Sequence, residues 1–84
     1  MQNIEDAVEK ILREEFNEDA IEAVKYIEYQ SDSGGYYVGE LQIVLKEGAS
    51  VWLETLEKFA TLGEDVYVTV MDNKPVIVII LRSL

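Results

Sequence analysis

From Ile4 to Phe16 the apolar residues Ile4, Ala7, Val8, Ile11, Leu12 and Phe16 recur at three- and four-residue spacing. That spacing stacks them along one stripe of an α-helix, with Glu5, Asp6, Glu9, Lys10, Arg13 and Glu14 on the other side. Asp6–Lys10 and Glu9–Arg13 are favourable four-residue pairs on that polar face. Residues 20–30 are rich in Ile, Val and Tyr and read as a strand whose two faces are both mixed. Ser31-Asp32-Ser33-Gly34-Gly35 reads as a turn, after which residues 36–47 alternate with Tyr37, Leu41, Ile43 and Leu45 on one side. Strand, turn and strand make a hairpin.

The pattern then repeats in outline. Ser50 is placed to cap a second helix over residues 51–62, with Trp52, Leu53, Leu56, Phe59 and Ala60 as its buried stripe and Gly63 as its left-handed stop. Val66, Val68 and Val70 alternate with Tyr67, Thr69 and Met71 in a third strand. Asp72-Asn73-Lys74-Pro75 turns the chain into a fourth strand, residues 76–82. The order αββαββ predicts an α+β fold, a four-stranded antiparallel sheet with two helices packed on one face. Strand four is apolar on both sides and belongs in the middle of the sheet. At 84 residues, with no Pro/Gly/Ser-rich linker, the chain reads as one domain, 1–84.

If both helices cover one face, the other face needs an explanation, because Tyr36, Val38, Val44, Tyr67 and Met71 fall opposite the inward stripes, and Tyr26 is assigned with them. An apolar sheet face of that size predicts an interface, either a homodimer or a contact with a protein partner. The alternative is that strand twist, loops and the long side chains of Glu, Gln and Lys shield the face within one molecule.

Charge adds a second candidate. The chain has 17 acidic and 7 basic residues, a net charge of −10, and the first 42 residues carry −8 of it (11 acids, 3 bases). Glu14, Glu15, Glu18, Asp19 and Glu22 crowd into nine residues with no Lys or Arg among them, near the end of the first helix, where the helix dipole disfavours negative charge. Three readings follow: a surface for a basic protein partner, including a DNA-mimicking inhibitor of a nucleic-acid-binding protein; a Ca2+ or Mg2+ site built from carboxylate oxygens; or a solvating acidic surface. Nucleic acid itself is not expected as a partner, since phosphate is repelled.

Chemistry is bounded by what the chain lacks. With no His and no Cys it has neither the commonest general base nor a thiolate nucleophile, and no enzymatic activity or cofactor is expected beyond that Ca2+ alternative. The N-terminus has no basic and apolar leader, and the longest apolar run, Val76 to Leu81, is far short of the ~20 residues of a membrane helix. The expectation is a cytoplasmic interaction domain that does not engage membranes.

Overall fold

A computed structural model describes residues 4–30, 37–62 and 65–83. The elements run α1 (Ile4–Glu15), a short 3-10 turn (Glu18–Ala20), β1 (Ile21–Gln30), β2 (Tyr37–Leu45), α2 (Leu53–Ala60), β3 (Asp65–Met71) and β4 (Lys74–Ser83). The four strands form one antiparallel sheet in the order β1-β2-β4-β3, so the αββαββ α+β architecture read from the sequence is the one observed. β4, apolar on both sides, is central as expected, and β1 and β3 are the edges. The predicted Ser31–Gly35 turn, Tyr36 and the Gly63 stop lie outside the described residues.

The register divides the strands cleanly into two faces. Ile43 pairs with Ile77 and Leu41 with Ile79, and these residues join Leu45, Val8, Leu12 and Phe59 in a single buried cluster that carries both helices. α1 therefore seats Val8 and Leu12, and α2 seats Phe59, as the three- and four-residue spacing requires. The predicted Glu9–Arg13 pair forms on the exposed side of α1.

The β3–β4 turn fixes the hydrogen-bond phase of the whole sheet. Asp72 and Asn73 both adopt positive φ (53° and 64°), the two-residue hairpin geometry that short Asx side chains tolerate. Met71 and Lys74 flank that turn as partners, so Asp65, Tyr67, Thr69 and Met71 direct their backbone groups to β4 while those of Val66, Val68 and Val70 point away from it. Pro75 sits in β4 itself rather than in the turn. Its nitrogen faces the end of β2, one residue beyond the Val44–Val76 pair, where no ladder bond is lost.

The second helix starts later than the sequence pattern predicts. Residues between Leu45 and α2 turn at Gly48 (φ 86°), where the Ala49 N–H donates to the Lys46 carbonyl, and the helix begins at Leu53 with extended Trp52 as its N-cap residue. Ser50 is not the cap. Trp52 consequently leaves the helical stripe, which consists of Thr55, Leu56 and Phe59, and the predicted burial of Trp52, Leu53 and Ala60 is not observed.

Candidate interaction surface

The face without helices is closed at its centre. Val76 and Val78 are 0% exposed there, and Val38 is also buried, although no helix covers them. The cover comes from side chains that cross the sheet. Tyr67 on β3 donates its hydroxyl to Glu40 on β2 (3.3 Å), laying the ring across the intervening β4 beside Val78. Lys74 at the start of β4 reaches the Glu22 carboxylate in β1, past the end of β2, and its aliphatic stem shelters the same face. Of the described residues assigned to a sheet-face interface, Val38 is buried, Val44 is half-buried, and Tyr26, Tyr67 and Met71 are exposed. Tyr26 belongs to the other face, because it pairs with Leu41 of the core.

This cover makes a specific prediction. Tyr67→Ala should uncover Val78 and cost about 1–3 kcal/mol, whereas Tyr67→Phe, which keeps the ring, should cost less than about 0.5 kcal/mol. Urea unfolding of the two variants beside the parent is the check. Equal losses would mean that the hydroxyl contact with Glu40, not the ring, holds the face.

The acidic run does not converge on a point. Glu15 accepts the Thr55 hydroxyl (3.0 Å) and the Lys58 ammonium (3.2 Å), and Glu14 lies 3.9 Å from the same ammonium. Glu22 faces the opposite way, to Lys74. Glu18 and Asp19 are exposed in the 3-10 turn between them. Among the described residues no group of three or more carboxylates is placed to hold a metal ion. Two of the five, Glu14 and Glu15, instead serve the fold, tying the end of α1 to α2.

The Thr55 hydroxyl, then the Lys58 ammonium, hold the Glu15 carboxyl below its ordinary value, against a smaller opposing effect of burial. A lowered carboxyl contributes stability above its unfolded value and loses it as pH falls through the folded one. Thr55 is itself buried and has this carboxylate as its partner. We expect Thr55→Val to raise the Glu15 titration midpoint and to move acid unfolding to higher pH, read by side-chain carboxyl resonances. An unchanged Glu15 midpoint would contradict the hydrogen bond.

Two apolar regions remain open on the helix-bearing face. The first is a groove between α1 and β1 of about 340 Å³, floored by Val8, Leu12, Val24 and Leu41 and edged by Tyr26, which exists because α1 lies over the central strands and leaves β1 uncovered. Tyr26 packs its ring over Gly39, where an added Cβ would stand 3.0 Å from Cζ, and its hydroxyl donates to Glu28 (3.2 Å). Burial first, and Glu28 second, raise the Tyr26 phenol above its ordinary value.

The second region is larger in exposed apolar side chains. Trp52 is 70% exposed, Leu53 71% and Val70 69%, with Val68 also exposed. Val68 and Val70 lie on the helix-bearing face of β3, the strand that α2 packs against, and Trp52 and Leu53 stand at the start of α2. The chain leaves β2 at Leu45, beside the β3–β4 turn, and α2 starts there before running back alongside β3. Nothing in the described residues pairs with the outer edge of β3.

No known family model, curated protein or solved structure matches this chain. Geometry and chemistry alone therefore carry the functional argument. No described helix is long and apolar enough to cross a membrane.

Sequence reasoning missed the second region for one local reason. With Trp52 counted as helical, its spacing to Leu56 and Phe59 assigns it to the core; as an extended N-cap residue it stands outside. Val68 and Val70 were legible as strand, but their exposure depends on where α2 begins.

Proposed function

We propose that this chain is a non-enzymatic protein-interaction domain whose recognition surface is the β3 edge together with the apolar side chains at the start of α2. The observation that carries this reading is the 70% exposure of Trp52 next to an equally exposed Leu53. A tryptophan left in water forfeits a large burial energy, and aromatic residues of this kind supply much of the affinity in protein interfaces. The helix-free sheet face, put forward from sequence, is a weaker candidate because Val76 and Val78 at its centre are already covered and its exposed Ile27, Tyr29, Tyr67 and Met71 are each less than half exposed.

Charge supports the same reading from a distance. A net −10 on 84 residues raises the encounter rate with basic surfaces and disfavours acidic ones, at moderate salt. Glu18 and Asp19, exposed and without an ion pair among the described residues, contribute to that field. A partner with a basic rim around an apolar centre fits both features.

The test is a double substitution, Trp52→Ser with Leu53→Ser, which touches no buried residue. Proteins retained from a cell extract by the parent should be lost from the variant at equal loading, with the melting temperature within a few degrees. Retention of the same proteins by both forms would locate the binding surface elsewhere.

A further inference from the structure

We propose that the free edge of β3 receives an extended segment of a partner protein, added to the sheet as a fifth strand, with alternating apolar residues between flanking Lys or Arg. This rests on the interaction reading above and names the partner's chemistry. The edge offers the backbone N–H and C=O groups of Val66, Val68 and Val70, fixed in direction by the Met71–Lys74 hairpin phase. Sheet edges are normally guarded by Lys, Pro, inward charge or a bulge. From Val66 to Met71 there is none of these.

The other edge shows what guarding looks like in this same molecule. β1 carries a register shift between Ile21 and Ala23 and has Glu22, Lys25 and Glu28 along its length. The unguarded edge is also on the strand that α2 packs against; α2 opens with exposed Trp52 and Leu53, and the edge itself bears exposed Val70. An incoming strand would extend the valine face on one side, toward Trp52 and Leu53, and the Tyr67–Met71 face on the other.

Charge selects the occupant. Asp65 and Asp72 stand at the two ends of β3, both exposed, while the six residues between them are uncharged. A strand with basic residues at its ends and apolar ones between them meets opposite charge at each end and apolar surface along the middle. A second copy of this chain meets the reverse. In the antiparallel register that overlaps all of β3, Val68 faces its own copy, and Asp65 of each chain falls next to Asp72 of the other, at both ends of the seam.

The probe is the blocked peptide Lys-Val-Thr-Val-Thr-Val-Lys, with two controls: the same peptide with Glu at both ends, and a version N-methylated on alternate residues. Amide exchange and resonance shifts of the intact protein are followed during titration at low and moderate salt. The lysine peptide should slow exchange at Val66, Val68 and Val70 at least tenfold, and the glutamate peptide should bind at least tenfold more weakly, the gap narrowing with salt. N-methylation should abolish the effect. Val68→Pro should do so too, because the Val68 N–H points away from β4 and its loss leaves the native ladder intact; Val70→Lys is the second block if the proline variant unfolds.

Absence of protection at these three amides up to millimolar peptide would overturn the proposal, as would equal binding of the glutamate peptide. Concentration-dependent protection without peptide, with a doubled mass, would assign the edge to a second copy and overturn it likewise. If the peptide fails while the Trp52/Leu53 double variant still loses its partners, strand addition falls and the interaction surface stands.

Discussion

Truncating Phe59 to alanine should remove about 3–5 kcal/mol of stability, the range for emptying a fully buried phenylalanine site. Phe59 is 0% exposed and is the large side chain through which α2 enters the common cluster with Leu41, Ile43, Leu45, Ile77 and Ile79. α2 is only eight residues long and has no side-chain cap at its start, so it depends on that packing rather than on its own propensity. At roughly 0.05–0.15 kcal/mol per residue a domain of this length has about 4–13 kcal/mol in total, and Phe59→Ala would consume a large part of it. Leu53→Ala, six residues earlier and 71% exposed, should leave the urea midpoint nearly unchanged. Comparable losses from the two variants would mean that α2 is seated on the sheet by a different side.

Placing aspartate at position 78 should be at least as damaging, by about 3–5 kcal/mol, because it buries a carboxylate with no cationic partner. Val78 lies on the face without helices, so burial by layers alone would suggest tolerance. The structure puts it at 0% exposure beneath Tyr67, close to the Glu40 carboxylate that the tyrosine hydroxyl contacts, and a second negative charge there is repelled as well as desolvated. The matched substitution Val70→Asp, in the adjacent strand at an open position, should cost no more than about 1 kcal/mol, the scale of strand propensity. Chemical unfolding of the pair separates a self-covered face from an open one. If Val78→Asp folds as well as Val70→Asp, the cross-sheet cover is not maintained in solution.

Much of this architecture was legible in the chain. The Ile4–Phe16 stripe gave α1 because its spacing admits only one helical face, and the doubly apolar run at residues 76–81 required a central strand. What escaped was set by partners distant in sequence. Tyr67 and Glu40 are 27 residues apart and Lys74 and Glu22 52 apart, and they meet only across the sheet, on the second face. Tyr26 was assigned to that face because β1 is mixed on both sides, and with a period of two a single parity choice moves every side chain. Its pairing with Leu41 places it with the helices, beside the groove that α1 leaves over β1.

The acidic run was conspicuous in sequence and proved partly structural. Glu14 and Glu15 use Lys58, and Glu22 uses Lys74, which a one-dimensional count of neighbours could not reveal. The open edge, by contrast, leaves a weak trace in sequence: an uncharged strand, Val66 to Met71, bracketed by Asp65 and Asp72.

Amide hydrogen exchange on the dilute protein without any ligand asks the most direct question of the molecule. Val66, Val68 and Val70 should exchange rapidly, while Ile77 and Ile79, bonded within the sheet interior, exchange slowly. Slow exchange at the three valines, matching that of β4, would mean that the β3 edge is already occupied and is not a free recognition surface.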